Sequence, residues 1–527
     1  MTAVARAPVV WSIAGSDTAG GAGLSADQRA ADAFGVHLCP VVAAVTAQHS
    51  RRVQRVEPMS ADVLDAQLRA LAEDLPPRAV KTGLLGGADA VGVVSRWIDR
   101  LRTADPVALV VDPVLASSTG QTFADAATLQ AYRDELLPRA TVVTPNRREA
   151  HALLGDAGAA DEASAVPALA RRLRALGAGA VCITGGDSVD RDGQVLDWLD
   201  TEHAAGWLAS LRVDTPHTHG TGCTFASSVA AAIALGFVPA DAAVLGKMAT
   251  AHALRHARAA GAGAGPVVAR PGFATDPSLM PCLSWGEAPR FFPSRRTAAP
   301  RRLGLYAIVD SAERVRQVLA AGVRTVQLRI KTPPQPDAAW HERLRQSVRS
   351  AVLACREAGD DVELFVNDHA ELARELGAGG VHLGQEDLLA FGERGREALV
   401  ASGLALGVSS HSLWELCRAR ALAPRYVACG PVWPTLTKAM PWRPQGLDNL
   451  RWWRHMARAP VVAIGGILSA ERVRAAAACG VDGVCVVRAV GDGSPESVSE
   501  LGQAFERGIA EASPATLPGL PTPSLAA

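Results

Sequence analysis

Short runs rich in β-branched residues alternate with longer Ala/Leu-rich stretches over two separate spans of this chain. In the first span, from Val9 to about Gly261, runs such as Val9-Val-Trp-Ser-Ile13, Ala108-Leu-Val-Val111 and Thr141-Val-Val143 read as strands with helices between them. That order predicts βαβ units and a mostly parallel sheet. The rhythm then fails: 261–265 is Ala/Gly-rich, and 266–300 carries many prolines with no sustained period. This predicts a domain end followed by a linker. A second rhythm starts at Leu303 and lasts to about Ile509, with apolar runs at Leu305–Val309, Thr325–Leu328, Glu363–Val366, Gly380–Leu383, Leu404–Val408, Tyr426–Cys429, Val461–Ile464 and Gly483–Val487. Eight such units in about 200 residues predict a small (β/α)8 barrel. The expected organisation is a first domain at 1–283, a linker at 284–300, a barrel at 301–512 and a disordered Pro/Ser/Ala-rich tail at 513–527.

Composition narrows the class. Hydrophobic residues make up 48% and charged residues 20% of 527, enough for a full core in each half. Lys plus Arg and Asp plus Glu both number 53, so the basic excess of a general nucleic-acid binder is missing. Nine cysteines without a Cys-x-x-Cys pair read as reduced thiols, and no apolar run approaches the roughly 20 residues that span a bilayer. With no apolar core near Met1 to suggest a signal peptide, the expectation is a cytoplasmic protein outside the membrane.

In the second span, polar residues collect where the strands end, which is where such barrels hold their active sites. Asp310 follows the first run, Gln327, Arg329 and Lys331 end the second, and Asn367 and Asp368 follow the third. Gln385, Glu386 and Asp387 follow the fourth, Ser409 the fifth, 434–438 the sixth, and Gly465 and Gly466 the seventh. Any one of these could be a helix cap. Together they read as a site: Asp368 and Asp387 are hard oxygen ligands suited to Mg²⁺, and Arg329, Lys331 and Lys438 can neutralise a diphosphate. The glycine pair can cradle a phosphate on backbone N–H groups. The set suggests displacement of a diphosphate.

The first span carries a glycine-rich turn, Gly15 to Gly23, that does not match a Walker loop. Asn146 and Glu149, three apart at a strand end, suit either a hydrated Mg²⁺ or the start of a helix. His219-Gly-Thr-Gly-Cys-Thr-Phe-Ala-Ser-Ser228 opens an Ala-rich helix, whose glycines allow close backbone approach and whose N–H groups face an anion. That arrangement suits a transferring phosphoryl group. Cys223 lies at the helix start, where a thiol's pKa can fall; a packing cysteine is the alternative.

Two resemblances follow. Val326-Gln-Leu-Arg-Ile-Lys331, Phe365-Val-Asn-Asp-His369, Val381-His-Leu-Gly-Gln-Glu-Asp387, Gly407-Val-Ser409, Gly430-Pro-Val-Trp-Pro-Thr-Leu-Thr-Lys438 and Gly465-Gly-Ile467 resemble thiamine-phosphate synthase across the second half. The resemblance implies that Gln327, Leu328, Arg329, Ile330, Lys331, Asn367, Ser409 and Lys438 hold an aminopyrimidine diphosphate. It further implies that Asp368 and Asp387 hold Mg²⁺, and that Thr435, Leu436, Thr437, Gly466, Val487 and Arg488 hold a thiazole phosphate. Ile13-Ala-Gly-Ser-Asp17, Gly20-Gly-Ala-Gly23, Asp27, Gln48, Lys81-Thr-Gly83, Asp112-Pro-Val114, Thr144-Pro-Asn146, Glu149 and Gly220-Thr-Gly-Cys223 resemble hydroxymethylpyrimidine/phosphomethylpyrimidine kinase over about Val9 to Phe273. This implies a ribokinase-like α/β/α sandwich in which Gly15, Asp27 and Gln48 contact the pyrimidine. Asn146, Glu149, Gly220, Thr221 and Gly222 would serve the ATP and Mg²⁺ side, with Cys223 as base. Pyridoxal kinase is the rival within the fold; Gln48 and the Gly-Thr-Gly-Cys run favour the pyrimidine enzyme.

Some positions depart from the families. Ile330 stands where Glu is usual and Arg488 where Ser is usual; Ser118 and Thr184 stand in place of Lys, and Asp187 in place of His. The leading expectation is a fused enzyme that phosphorylates the pyrimidine and its monophosphate with ATP, then condenses the diphosphate with thiazole phosphate. The alternative is an active synthase with a kinase-like half kept for ligand binding or regulation. Assembly into a homo-oligomer is left open.

Overall fold

The computed structural model describes residues 6–117, 120–156, 163–186, 193–292, 301–435, 441–491, 493–513 and 516–525. It divides into two compact units, Met1–Pro289 and Arg290–Leu525. Among the described residues no helix is long and apolar enough to cross a membrane.

The first unit is built on one ten-stranded sheet. Its strands are β1 (Val9–Asp17), β2 (His37–His49), β3 (Arg52–Pro58), β4 (Ala79–Thr82), β5 (Ala108–Val111), β6 (Val142–Val143), β7 (Val181–Ile183), β8 (Gln194–Asp200), β9 (Ala205–Leu211) and β10 (Cys282–Leu283). Their order is β10-β9-β8-β7-β6-β5-β4-β1-β2-β3. The stretch from β2 through β7 is parallel, while β3 and β8 to β10 add antiparallel margins. β4 and the inner part of β1 are buried residue by residue, so helices cover both faces of the parallel centre. This is the expected α/β/α sandwich. The crossover helices start where caps allow, as at Ser60, whose hydroxyl accepts from Val63 N–H.

The second unit closes eight parallel strands into a barrel in sequence order: β11 (Gly304–Val309), β12 (Thr325–Leu328), β13 (Glu363–Asn367), β14 (Gly380–Leu383), β15 (Ala405–Ser410), β16 (Tyr426–Cys429), β17 (Val461–Ala463) and β18 (Gly483–Val486). β18 pairs back onto β11, which leaves no open edge. Each strand lies within two residues of the run expected from hydropathy. Tyr426 packs edge to face on both Tyr306 and Phe365 inside, and those two rings are tilted to each other by 44°, with ring centroids 5.1 to 5.8 Å apart, which makes this barrel a filled core.

Two boundaries differ from the expected ones. Residues 284–287 are not linker: Ser284 Oγ accepts from Trp207 N–H at 2.8 Å, and Trp207 Nε1 donates to Glu287 O at 2.7 Å, so they finish the sheet edge of the first unit. At 290–292 the chain already belongs to the second unit, with Arg290 paired to Glu393 and Phe292 N–H bonded to Ala421 O; residues 293–300 lie outside the described ones. Nor is the tail wholly disordered. Thr522 N–H donates to Asn449 Oδ1 at 2.8 Å while Asn449 Nδ2 donates back to Thr522 O at 3.0 Å, and Ser524 and Leu525 are buried. A buried amide needs partners, and this tail supplies them.

Candidate functional site

In the first unit the two glycine-rich segments meet. The carboxylate of Asp17, at the end of β1, accepts from the N–H groups of Ala19, Gly21 and Ala22 at 2.8 to 2.9 Å and meets His219 Nε2 at 3.0 Å. Burial opposes its charge, but the His219 bond and the backbone N–H groups outweigh it and hold the carboxyl well below its usual range. The turn after β1 is thereby fastened to the start of the Thr221–Ala234 helix, about two hundred residues away. Gly220 is part of that fastening: at φ +86° a Cβ would lie 2.2 Å from Gly21 O. Its smallness serves loop-to-loop packing, whereas beside Gly222 the space is open.

Beneath this junction lies a buried charged cluster. Lys81, in the middle of β4, donates to Asp27 Oδ1 at 3.0 Å and to Oδ2 at 3.1 Å, while Ser12 and Ser227 hydroxyls bond the same carboxylate at 2.6 and 2.7 Å. Asp112 Oδ2 lies 3.6 Å from Lys81 Nζ and has no hydrogen-bond donor of its own. Burial pushes the Asp112 carboxyl up to about 6 despite the lysine. The expected contact of Asp27 with a pyrimidine is corrected by this geometry: its side chain is 0% exposed and its oxygens are taken by Lys81, Ser12 and Ser227. Lys81 and Asp112 received no role from the sequence. The available signal was a lysine inside an otherwise apolar strand.

Cys223 also departs from expectation. Burial, reinforced by the carboxylates of Asp112 and Asp27, pushes its thiol up to about 12, against the pull of Lys81 and of Gly23 N–H. The helix start does not win, because the loss of water around the thiol outweighs the pull of Lys81 and of the backbone, and the two carboxylates add to it. The resting side chain is a thiol and not a thiolate.

Asn146 and Glu149 form a reciprocal cap on the Arg147–Leu154 helix, each side chain accepting from the other's N–H at 2.9 Å. Asn146 also bridges Thr184, so one of the departures from the family faces this strand end. Thr221 turns its hydroxyl to Thr218 O at 2.6 Å. Gly15 packs on Leu84, and Gln48 lies half-buried on β2, beyond the residues that pair with β1. Ser118 and Asp187 lie outside the described residues.

In the barrel, the polar residues expected at the strand ends stand there and are mostly not caps. The helices that follow are capped instead by Ser311, Asp337, Ser412, Ser469 and Ser494. Gln327 and Leu328 end β12 and are buried, Arg329 and Ile330 are half-buried, and Lys331 is exposed. Asn367 closes β13 and is buried; Asp368 beside it is exposed, with φ +66°, a left-handed conformation that a non-glycine residue adopts at a cost. Asp387 is half-buried in the first turn of the Gln385–Ala390 helix after β14, where its Oδ2 caps that helix by accepting from Gly384 N–H at 2.9 Å.

Among the described residues no three His, Cys, Asp or Glu side chains gather into a metal cage. Two carboxylates that follow neighbouring strands, Asp368 and Asp387, suit Mg²⁺, which takes one or two protein carboxylates and fills its shell with water and phosphate oxygens.

Gly466 has φ +70°, and a Cβ there would lie 2.6 Å from Trp433 Cβ, so the loops after β16 and β17 are packed backbone to backbone. Trp433 N–H bonds Gly465 O at 3.1 Å, which brings half-buried Thr435 close to the glycine pair in the fold. Val487 and Arg488 follow β18, both exposed. Leu436, Thr437 and Lys438 lie outside the described residues. Tyr306, Tyr426 and His382 were not anticipated. His382 Nε2 meets Ser409 Oγ at 2.9 Å, and burial, with the charges of Arg329 and His411, pulls the imidazole down to about 4.

Comparison with known proteins agrees with both halves. Residues 17–268 match the family model described as phosphomethylpyrimidine kinase, and 305–490 that described as thiamine monophosphate synthase. A probable thiamine biosynthetic bifunctional enzyme, chloroplastic, of Oryza sativa subsp. japonica is 34% identical over 94% of this chain and 87% of its own length. An Arabidopsis thaliana thiamine biosynthetic bifunctional enzyme, also chloroplastic, is 33% identical over 93% and 91%. Among solved structures, an ADP complex of Bacillus subtilis pyridoxal kinase is 29% identical, covers 50% of this chain and 98% of its own, and has a TM-score of 0.46.

Proposed function

The chain belongs to the bifunctional thiamine biosynthetic enzymes, a hydroxymethylpyrimidine/phosphomethylpyrimidine kinase joined to a thiamine-phosphate synthase, and we propose how its two sites divide the work. The first carries phosphoryl groups from ATP onto the aminopyrimidine alcohol and then its monophosphate. The second displaces diphosphate from that product with the ring nitrogen of a thiazole phosphate. The observation that carries this reading is that both family models lie in one chain, in order, and that relatives of the same double build align over almost its whole length.

In the kinase half, the N–H groups at the start of the Thr221–Ala234 helix face the transferring phosphoryl group. Loose phosphoryl transfer depends on positioning and charge stabilisation more than on early proton removal. A neutral Cys223 thiol therefore contributes by holding the hydroxymethyl oxygen in line, and the Lys81–Asp27 pair keeps that floor rigid. Gly15 and Gln48 border the pyrimidine; Asn146 and Glu149 serve the ATP side, where a bound Mg²⁺ would neutralise phosphate charge.

In the synthase half, Gln327, Arg329, Lys331, Asn367, Ser409 and Lys438 bind the pyrimidine diphosphate, Leu328 and Ile330 contributing backbone. Asp368 and Asp387 would hold Mg²⁺, which stabilises the departing diphosphate. Thr435, Leu436, Thr437, Gly466, Val487 and Arg488 receive the thiazole phosphate; Arg488 adds a cation where the family usually has serine. Nine free cysteines are consistent with a reducing, cytoplasmic setting.

The test is one vessel holding the purified full chain, Mg²⁺, ATP, the aminopyrimidine alcohol and thiazole phosphate, read by mass spectrometry. Thiamine phosphate is the expected product. Formation only when the pyrimidine diphosphate is supplied ready-made would favour the alternative, a kinase-like half retained for binding.

A further inference from the structure

Five side chains on five barrel strands form one continuous hydrogen-bonded chain. Gln327 Nε2 donates to Tyr306 Oη at 3.2 Å, and Tyr306 Oη lies 2.8 Å from Tyr426 Oη. Tyr426 Oη meets His382 Nδ1 at 2.8 Å, and His382 Nε2 meets Ser409 Oγ at 2.9 Å. The strands are β12, β11, β16, β14 and β15 in turn. The first four side chains are buried, whereas Ser409 is half-buried near the end of β15, so the chain runs from the core to the strand ends. The barrel makes room for it at a strand glycine: a Cβ on Gly407 would lie 2.4 Å from Tyr426 Oη.

The direction of the protons in this chain follows from donor chemistry. An amide nitrogen only donates, so Tyr306 Oη accepts from Gln327 and its own O–H goes to Tyr426. The Tyr426 O–H is then left for His382 Nδ1, which accepts. An imidazole whose Nδ1 accepts has its N–H on the other nitrogen, Nε2. That proton is donated to Ser409 Oγ. The reverse order would make Tyr306 accept twice and bury its own proton without a partner, which is unfavourable in a dry core.

We propose that Tyr306, Tyr426 and His382 act as positioning residues that, with the Gln327 amide as the first donor, aim the Ser409 hydroxyl proton outward, so that Ser409 donates to an acceptor atom of the bound substrate. This rests on the reading that Ser409 faces the pyrimidine diphosphate. Because its oxygen is already taken by His382 N–H, Ser409 selects a ligand that offers a lone pair there, either a ring nitrogen or a phosphate oxygen, over one that offers an N–H.

The full chain supplied with ready-made pyrimidine diphosphate and thiazole phosphate tests this through Tyr426→Phe, Ser409→Ala and the double variant. Each single change is expected to lower kcat/KM about tenfold, the worth of one hydrogen bond, and the double variant to be no worse than Ser409→Ala alone. Losses that multiply, or a Ser409→Ala enzyme with unchanged kcat/KM, would overturn the proposal. The inhibition constant of inorganic diphosphate separates the two acceptors: a rise in Ser409→Ala points to a phosphate oxygen, and no change points to the ring. Should Tyr426→Phe not fold, ¹⁵N-histidine spectra of the wild-type protein, with His382→Gln to assign the signal, still decide. The proton is expected on Nε2; a proton on Nδ1 overturns the chain. A wild-type protein with no synthase turnover would refute the functional reading instead, and the spectrum would still report the direction.

Discussion

Lys81 Nζ lies 3.0 Å from Asp27 Oδ1, and neither side chain is reached by solvent. A buried pair of this kind adds little to stability as long as it is intact, since each ion was taken out of water to form it. Breaking it is another matter, and here a second carboxylate, Asp112, depends on the same cation. Lys81→Met is therefore expected to destabilise the first unit by about 3–5 kcal/mol. The measurement is the urea midpoint for loss of ATP turnover in the full chain, with thiamine phosphate formation from ready-made pyrimidine diphosphate as the internal control. An unchanged midpoint would mean that the cluster is not charged as drawn.

Asp368→Ala and Asp387→Ala separate the two activities. Each is expected to abolish thiamine phosphate formation while leaving ATP turnover with the aminopyrimidine intact, because the departing diphosphate loses its Mg²⁺ and no kinase residue can replace it. Raising Mg²⁺ should recover part of the rate in the single variants. Near-normal synthase rates in both would remove these residues as metal ligands.

Cys223 provides a pH test. A thiol pushed up to about 12 is alkylated by its rare thiolate, so its rate should climb about tenfold per pH unit with no plateau up to pH 10. Peptide mapping after iodoacetamide treatment follows it apart from the eight other cysteines. Cys223→Ser should then lose less of kcat than the ~10²–10⁴-fold typical of a missing general base. A plateau near neutral pH together with a loss in that range would restore the thiolate-base reading.

The boundary between the units predicts where the chain can be cut. A fragment ending at Leu283 loses Ser284 and Glu287, and with them both partners of Trp207. It should melt several degrees below a fragment ending at Pro289, since each buried group left unpaired costs about 1–3 kcal/mol. Differential scanning calorimetry of the two fragments measures this, and equal melting temperatures would show that 284–289 adds nothing to the sheet edge.

Much of this protein is written in local pattern. Eight apolar runs at near-regular spacing determine a closed barrel, because strand length and alternation with helices depend on neighbours along the chain. For the same reason the strand-end residues Gln327, Asn367, Asp368, Asp387 and Ser409 were legible: a parallel barrel puts every strand's end at one mouth. What tertiary structure decided is the environment of each group. Asp27 and Lys81 stand 54 positions apart, and only the fold, which sets β4 beside β1 and brings the Gly23–Phe34 helix that carries Asp27 over them, turns an expected ligand contact into a buried pair. Cys223 sits at a helix start, as its glycines announce, yet its proton affinity is raised chiefly by burial, with Asp112 and Asp27, brought in from other elements, adding to it. Tyr306, His382 and Tyr426 looked like ordinary strand residues, since a hydrogen-bonded chain across a barrel exists only once the strands close. Sequence determines periodicity and strand ends because those are short-range properties; desolvation and charge pairing act through space, and they waited for the fold.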